Sequence, residues 1–511
     1  MVTLRIILFV INLWTVSVEI GKADDCVPRD FGYGSIVCVC NSTYCDSVPR
    51  SVPDKGQYRS YESNKAGKRL SQVIGNFISN ATDSNEVDAI TININADKKY
   101  QTILGFGGAF TDSAGINIEK LSQQSQNNIL EAYFGQNGSR YNLARVPAAG
   151  TDFSTRPYTY ADKMDETLES FALAPEDFRY KIPLMHKALL LNPQLRFVSA
   201  SWTAPPWMKT NDQYNGFGFL KKKYYQTYAD YLVKFLLEYK KQGLKISAIS
   251  TGNEPMDVLF PFFHINSMGW TPDTVADWIA NNLGPTIAAS ESNDTMILII
   301  DDQRINLSWY VDGIFKNDLA KNYTSGIAVH FYWDQFTTPL VDDFTHDEYP
   351  DKFILMTEAC VGTGSSQAVH LGDWERGEKY ISNIIENLSH WVTGWMEWNL
   401  ALDKAGGPNW IMNNVDASVI VEPETDEFYK QPTYYALAHF SKFISEGSTR
   451  IGTTTSGEIS HLSFLTPDDE IVVVLYNSDN DTRPVTIKDP ELGCISRNLS
   501  PKSIQTIIYK K

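Results

Sequence analysis

Two glutamates of the chain stand where buried strands are predicted to end. Glu254 closes the stretch "AISTGNEP" (248–255) before its final proline, and Glu358 closes "FILMTE" (353–358). Pro255 lacks a backbone N–H and cannot continue a strand, so we predict that Glu254 lies at the strand end instead of inside the core. If both carboxyl groups face one cavity, one can donate a proton while the other attacks carbon or activates water. That is the chemistry of glycoside hydrolysis.

Other polar and aromatic residues follow the remaining apolar runs of the sequence. Asn253 would bind a sugar hydroxyl, and the indole faces of tryptophans would cover the apolar side of a sugar ring. Arg145 near the nucleophile would keep that carboxyl group ionised. The set that follows the predicted strands comprises Arg145, Asp152, Trp202, Trp207, Asn253, Glu254, Asp301, Asp302, His330, Tyr332, Glu358, Glu397, Trp398 and Asn399.

Each of these residues also has a structural interpretation. A single glutamate at a strand end often serves as a helix cap or first-turn partner, and His330 alone more often makes a structural hydrogen bond. Asp301 and Asp302 could bind a divalent metal, but no further ligand follows at metal-like spacing, so loop capping is favoured. Only the combination points to catalysis, and we expect neither a metal nor an organic cofactor.

Short apolar runs alternate with longer amphipathic segments through the middle of the chain. The eight predicted strands cover residues 102–110, 141–147, 195–202, 245–251, 296–301, 326–333, 353–358 and 392–398. Helical spacing marks residues 117–135, 224–243, 272–290 and 366–390. Strands that alternate with helices pair in parallel, so eight such units predict an α/β chain with a (β/α)8 TIM barrel. A doubly wound open sheet is the alternative. The active site of such a barrel forms at the C-terminal strand ends.

The two ends of the chain have a different pattern from the middle. Runs such as "EIVVVLYN" (470–477) and "SIQTIIYK" (503–510), bounded by turn residues, predict β-structure assembled from both termini. We expect a small disulfide-bonded β-domain from 24–49 with 400–432 and a β-sandwich-like domain from 50–98 with 449–511. The catalytic barrel would comprise 99–399 with 433–448.

The first residues, "MVTLRIILFVINLWTVSVEIGKA" (1–23), predict a secretory signal peptide. A membrane anchor is the alternative, but the apolar run is shorter than the roughly 20 residues that a span requires. Four cysteines follow closely, Cys26, Cys38, Cys40 and Cys45, and in a secreted chain they indicate two local disulfides with three possible connectivities. Cys38 and Cys40 are an improbable pair, and Cys360 and Cys494 are expected to be free thiols.

The surface is predicted to be acidic and glycosylated. The chain has 61 Asp and Glu against 44 Lys and Arg, a net charge of −17, which disfavours nucleic acid as a partner and suits an acidic compartment. Pro501 makes a further sequon at Asn498 doubtful. The candidate glycosylation sites are Asn41, Asn80, Asn137, Asn293, Asn306, Asn322, Asn387 and Asn480.

Nine segments of the chain, spread from residue 26 to its C-terminal part, match one family in order. They are "CVPRDFGYGSIVCVCNSTYCDS", "GFGGAFTD", "YTYAD", "GNEP", "DDQR", "TEACVG", "WNLAL", "GGPNW" and "FYKQP". On these segments the sequence resembles the lysosomal acid β-glucosidases of glycoside hydrolase family 30. So many matching segments make the resemblance highly specific.

The resemblance implies a function and a set of site residues. Glu254 would be the acid/base and Glu358 the nucleophile of a retaining β-glucosidase that hydrolyses glucosylceramide at a membrane surface. The residues expected to hold glucose are Asp152, Trp202, Asn253, Trp398 and Asn413. The cysteines would pair as Cys26–Cys38 and Cys40–Cys45. The family also implies a saposin-like activator, a sorting receptor and delivery to the lysosome.

The segment around the acid/base departs from the family pattern. Gly252 replaces a residue that is usually acidic, and the loop "MDVLFPFFHINSMGW" (256–270) differs strongly, which leaves the aglycone preference and the activator contact open. Phe260 to Phe263 and Trp270 are interpreted as an aromatic rim for the lipid, or else as inward-packed core. The rival functions are another specificity of the family, such as β-xylosidase or β-1,6-glucanase, and a catalytically silent sugar-binding or transport protein.

Overall fold

The computed structural model of the protein describes residues 25–78, 89–260 and 264–511. The predicted signal peptide, the sequon at Asn80 and residues 261–263 lie outside it. The strands are β1 Pro28–Asp30, β2 Ile36–Asn41, β3 Gln57–Asn64, β4 Ser71–Asn76, β5 Ile90–Thr102, β6 Gly105–Ala109, β7 Leu143–Pro147, β8 Arg196–Ala200, β9 Ile246–Ser250, β10 Met296–Gln303, β11 Thr324–His330, β12 Phe353–Glu358, β13 Val392–Asn399, β14 Leu402–Asp403, β15 Val419–Glu422, β16 Glu427–Lys430, β17 Thr449–Thr455, β18 Ser460–Leu465, β19 Glu470–Asn477, β20 Arg483–Asp489, β21 Gly493–Leu499 and β22 Ser503–Lys510. The α-helices are α1 Asp112–Glu119, α2 Gln123–Phe134, α3 Ile182–Leu191, α4 Tyr225–Lys241, α5 Pro272–Trp278, α6 Gly284–Ala288, α7 Leu307–Phe315, α8 Asp318–Tyr323, α9 Leu340–Glu348, α10 Trp374–Ser389 and α11 Pro432–Ser441.

Strands β6 to β13 close into a parallel barrel, which confirms the predicted fold and excludes the open sheet. All eight predicted strands are present, with ends shifted by a few residues. Seven strands each contribute one apolar side chain to a single buried cluster, which consists of Leu143, Val198, Ala248, Leu298, Ala328, Leu355 and Met396. In β6, a Cβ at Gly107 would lie 1.9 Å from the carbonyl oxygen of Leu143, so only glycine fits there. The interior below the active-site end is therefore packed solid.

The amphipathic segments form helices, but several are shorter than predicted. The segment 117–135 contains two helices, because Ser122 caps the start of α2 with its side chain. Helix α10 begins at Trp374 after a side-chain cap from Asp373, so residues 366–373 are not helical. Helices α5 and α6 are joined by a π-helical turn in place of one continuous helix.

Two further sheets flank the barrel. Strands β1, β2, β16, β15 and β14 form a small sheet in that order, and both predicted disulfides, Cys26–Cys38 and Cys40–Cys45, brace its N-terminal strands. Val39 and Ile420 of this sheet share one apolar cluster with Trp202 and Trp398 at the barrel mouth. The small sheet thus supports the side chains that were predicted to bind sugar.

The second sheet runs β21, β20, β5, β17, β18, β19, β22, β3 and β4 through the described residues. Ile487 of β20 and Val473 of β19 belong to the same buried cluster, although three strands separate them in the sheet. The sheet must therefore fold over on itself into two layers, as the predicted β-sandwich requires.

Several surface predictions can be compared with side-chain exposure. Asn387 is fully buried and its amide donates to Asp334, so a glycan cannot be accommodated there and that prediction is wrong. Asn41 and Asn306 are half-buried, whereas Asn137, Asn293, Asn322 and Asn480 are exposed and remain candidates. Cys360 and Cys494 are free and buried. Within the described residues we find no helix whose length and hydropathy would let it cross a membrane.

Candidate active site

Glu254 and Glu358 lie at the C-terminal mouth of the barrel and line one cavity of about 820 Å³. Carboxylate oxygens of the two residues lie within 4.8 Å of each other. Retaining glycosidases hold their two carboxyl groups about 5–5.5 Å apart, whereas inverting enzymes need about 6.5–9.5 Å to admit a water. The spacing therefore suits a direct attack by one carboxylate and proton donation by the other.

The backbone after β9 turns sharply to bring Glu254 into the cavity. Gly252 has a φ of +148°, a backbone conformation that residues with side chains rarely adopt. Glu254 itself has a φ of +39°, at a cost of about 1–3 kcal/mol for a residue with a side chain. Its N–H donates to the carbonyl of Asp301 at 2.9 Å, which helps to hold this conformation.

The carboxyl group of Glu254 is held by residues at the ends of the next two strands. Gln303 Nε2 donates to Glu254 Oε1 at 2.6 Å, and His330 Nδ1 contacts the same oxygen at 2.7 Å. The other nitrogen of His330, Nε2, lies 3.1 Å from Asp301. Thr357 also donates to Asp301, at 2.6 Å. His330 therefore bridges two carboxyl groups and is more than an isolated structural histidine.

One proton is shared in the Glu254–His330 bond. Burial raises the pKa of Glu254, but the hydrogen bond and the charge of His330 outweigh burial and hold this pKa below its usual value. Burial alone would lower the pKa of His330, but the charge of Glu358 and the bonds to Asp301 and Glu254 raise it to about 10. In the free protein the proton therefore lies on His330.

Glu358 is held from two sides. Tyr332 donates to its Oε1 at 2.6 Å, and Arg145 Nη1 donates to its Oε2. The other terminal nitrogen of Arg145 reaches Asn253 at 2.9 Å and Asp301 at 2.8 Å. Burial raises the pKa of Glu358 above its usual value, and the charge of Arg145 opposes this rise without cancelling it. Arg145 makes the predicted contact, but burial outweighs its effect on ionisation.

The five residues expected to hold glucose line the same cavity as the two glutamates. The indoles of Trp202 and Trp398 stack with ring centroids 5.1 Å apart, and the guanidinium of Arg145 lies 4.9 Å from the first ring. Asn413 donates to Asp152 at 3.0 Å. Burial and the charge of Glu358 raise the pKa of Asp152 to about 7, so this carboxyl group can donate as well as accept hydrogen bonds near neutral pH.

Other candidates have structural surroundings. Asp302 accepts hydrogen bonds from the N–H groups of Met256 and Gln303, which agrees with loop capping. Glu397 is buried and accepts from Tyr141 and Ser418. Trp207 donates to the carbonyl of Ala161, and Asn399 accepts from Thr111.

The predicted aromatic rim is only partly present. Trp270 is 3% exposed and packs between Tyr225 and Trp278, so for this residue the inward-packed core is the correct alternative and the rim is excluded. Phe260 is 37% exposed, lines the cavity and meets the edge of Trp333. Phe336, which the sequence did not single out, lines the cavity and is 71% exposed.

Two residues near Glu254 were missed as site residues. Gln303 lies inside the motif "DDQR", but an uncharged amide gives no independent signal of a catalytic contact. Asp257 also lines the cavity, and a single aspartate in a loop carries no recognisable pattern. Gln303 lies beside Glu254 because the barrel brings the ends of β9 and β10 together, which spacing along the chain does not reveal. Asp257 lies there because of a local turn, in which its N–H donates to the carbonyl of Glu254.

Comparison with known proteins agrees with this geometry. Residues 103–444 match the glycosyl hydrolase family 30 TIM-barrel domain, and residues 447–507 match the β-sandwich domain of the same family. The chain belongs to glycosyl hydrolase family 30. This family-30 chain is therefore a glycoside hydrolase, and the resemblance noted from its sequence is confirmed.

Relatives of this family-30 protein include lysosomal acid glucosylceramidase of Mus musculus, 42% identical over 501 residues, with 96% of each chain covered. Putative glucosylceramidase 3 of Caenorhabditis elegans is 39% identical, with 96% of this chain and 97% of the relative covered. Among solved structures, SrfJ of Salmonella typhimurium superimposes with a TM-score of 0.82 at 26% identity, covering 89% of this chain and all of SrfJ. The likeness extends over the barrel and the flanking sheets.

Proposed function

We propose that the protein is a retaining β-glucosidase that hydrolyses glucosylceramide to glucose and ceramide. The observation that supports this most strongly is the closeness of the Glu254 and Glu358 carboxylates, within 4.8 Å in one cavity. That spacing suits the double displacement of retaining enzymes. The glucosylceramidase names of the full-length relatives support the choice of substrate.

Glu358 acts as the nucleophile in this proposal. Its Oε1 accepts the hydrogen bond of Tyr332, and its Oε2 accepts that of Arg145, so the carboxylate is fixed toward the cavity. Attack on the anomeric carbon forms a glycosyl ester and removes the negative charge of Glu358. Arg145 remains paired with Asp301 at 2.8 Å, so its charge stays compensated through the reaction.

Glu254 acts first as the acid and then as the base. The acid step requires a proton on Glu254 when the glycosidic bond breaks, although in the free protein the shared proton lies on His330. Their 2.7 Å hydrogen bond provides a direct path for this proton. The negative charge of Glu254 in the intermediate is then stabilised by the hydrogen bond from Gln303, and the carboxylate can deprotonate the attacking water.

The glucose ring would lie among Asp152, Trp202, Asn253, Trp398 and Asn413. Stacked indoles offer apolar faces for the C–H groups of the ring, and the carboxyl and amide groups can bind its hydroxyls. The lipid end would meet Leu259, Phe260, Trp333 and Phe336, which line the same cavity. A saposin-like activator, a lysosomal sorting receptor and residence in the lysosome belong to this proposal as well.

The proposal is tested with glucosylceramide in anionic vesicles and with aryl β-glucosides, both at about pH 5. We expect turnover of both, and NMR should show that the first glucose released is the β-anomer. Turnover of aryl β-xylosides or β-1,6-glucan in preference to glucosides would favour the rival specificities. Binding of a glucose-like iminosugar without turnover of any substrate would favour a silent sugar-binding protein.

The roles of the two glutamates are tested separately. Glu358→Gln should nearly abolish turnover of every substrate, because no covalent intermediate can form. Glu254→Gln should retain far more activity on a substrate with a good leaving group than on one with a poor leaving group, since only the latter needs the acid. Equal losses for both variants on both substrates would refute the assignment.

A further inference from the structure

A third carboxyl group, that of Asp257, lies beside Glu254. Asp257 begins the short 3-10 turn Asp257–Leu259, and its N–H donates to the carbonyl of Glu254 at 3.0 Å. It is buried and lines the same cavity as the two glutamates. Its position relative to Glu254 is therefore fixed by the backbone of the loop after β9.

The buried carboxyl groups of Asp257 and Glu254 line the same part of the cavity, and they interact closely enough to share a proton. Two ionised carboxylates can only accept hydrogen bonds, so one of the pair must carry a proton. Among the described residues, no donor reaches the buried Oδ2 of Asp257. Glu254, by contrast, receives the hydrogen bonds of Gln303 and His330. An unsatisfied buried anion is costly, so the proton lies on Asp257 in the free protein.

The surrounding charges also favour a protonated Asp257 beside an ionised Glu254. Burial raises the pKa of Asp257 well above its usual value, and the charges of Glu254, of Asp302 after β10 and of Glu358 after β12 add to the rise. The nearby cations contact other groups, since His330 bridges Glu254 and Asp301. Arg145 likewise binds Asp301 and Glu358. Asp257 therefore faces three acidic groups on its side of the cavity.

We propose that Asp257 is a positioning residue that shares its proton with Glu254 and so extends the acid step of catalysis to higher pH. This inference rests on the proposed role of Glu254. His330 keeps its proton in this route. The O–H bond of Asp257 breaks as one forms on Glu254, and Glu254 passes that same proton to the glycosidic oxygen as the bond from that oxygen to the anomeric carbon breaks. The pair then bears two negative charges, but Glu358 has lost one on forming the ester, so the total is unchanged. In the second step, a proton of the attacking water restores the pair.

The test compares Asp257→Asn with the wild-type protein over a range of pH. The asparagine amide can still donate a hydrogen bond to Glu254 and has nearly the same size, but it cannot release a proton. We measure kcat/KM for two aryl β-glucosides, phenyl glucoside with a poor leaving group and 2,4-dinitrophenyl glucoside with a good one. In the plot of kcat/KM against pH for the phenyl glucoside, we expect the alkaline limb to shift toward lower pH by about one unit. At a fixed pH on that limb, kcat/KM then falls about tenfold. The profile for the dinitrophenyl glucoside should not move.

Controls separate this effect from a loss of folding or an unspecific loss of activity. Turnover of the dinitrophenyl glucoside reports whether each variant is folded, and Asp257→Ala, which removes both the proton and the donor, should shift the limb at least as far. Glu458→Gln removes an exposed carboxylate between β17 and β18, outside the cavity lining, and should leave both profiles unchanged. An alkaline limb of Asp257→Asn that coincides with wild type, or an equal shift for both substrates, would overturn the inference. If the wild-type protein cleaves neither glucoside, the proposed function itself fails.

Discussion

The phenol of Tyr332 donates a 2.6 Å hydrogen bond to one oxygen of Glu358, while Arg145 contacts the other. Tyr332 lies two residues beyond the end of β11 and Glu358 is the last residue of β12, so adjacent barrel strands place the pair. The nucleophile is therefore oriented by its neighbours and not only by its own backbone. This arrangement makes the contribution of the phenol measurable by itself.

Tyr332→Phe removes this hydrogen bond and keeps the ring. A hydrogen bond to a charged group is worth about 1.5–3 kcal/mol, so we expect kcat/KM for aryl β-glucosides to fall about 10- to 150-fold. Tyr509→Phe is the matched control, because it removes a buried phenol that donates to Asp489 at 3.0 Å in the β-sandwich. The control should lower the melting temperature without changing kcat/KM, and equal kinetic losses in both variants would contradict the account.

The aromatic rim predicts a difference between lipid and soluble substrates. The double variant Phe260→Ser with Phe336→Ser should reduce kcat/KM for glucosylceramide in vesicles at least about tenfold, since each ring contributes apolar contact area. Activity on a soluble aryl glucoside should stay within about twofold. Phe217→Ser changes another exposed aromatic residue, one that is absent from the cavity lining, and serves as the control.

For the double variant Phe260→Ser with Phe336→Ser, equal losses on both substrates would show that the two rings do not bind lipid. A fall in melting temperature of several degrees would show instead that they belong to the core.

His439 should make the fold less stable in acid. It is fully buried between Thr506 and Ser63, and burial lowers its pKa to about 3, so the folded state holds it neutral. The unfolded chain binds a proton at this residue below about pH 6.5, so stability falls as the pH drops from there toward 3. At pH 5 the penalty is about 2 kcal/mol.

His439→Gln removes this penalty and keeps a polar side chain between the two hydroxyls. Urea unfolding at pH 7 and pH 5 should show that the variant loses about 2 kcal/mol less stability than wild type between the two values. Identical losses in both proteins would mean that His439 does not control the acid response.

The barrel could be predicted from the sequence because each strand is a short buried run whose character is local. The ends of those runs also identified Glu254 and Glu358, since the carboxyl ends of parallel strands share one mouth. The disulfide pairs followed from the resemblance alone. What the sequence could not reveal are contacts made after chain closure. Gln303 and Asp257 reach Glu254 only because neighbouring strand ends and a tight turn bring them together.

One wrong prediction and one alternative that the structure excludes have the same physical origin. The sequon at Asn387 reads as a surface site, yet it falls on the buried face of α10, where its amide bonds to Asp334. Trp270 follows the acid/base loop and suggested a rim, yet its ring stacks on Trp278 of α5 with centroids 5.0 Å apart. Local motifs do not state which face of an element is turned inward.

The central claim is that Glu358 forms the covalent bond to the sugar and that Glu254 does not. A 2-fluoro-glucosyl fluoride forms the glycosyl ester of a retaining enzyme but slows its hydrolysis, so the adduct can be detected by intact-protein mass spectrometry and located by peptide mapping. We predict one fluoroglucosyl group per protein molecule, on Glu358, and none in Glu358→Gln. A protein that turns over glucosides yet forms no adduct, or that carries the adduct on Glu254 or another residue, would contradict the account.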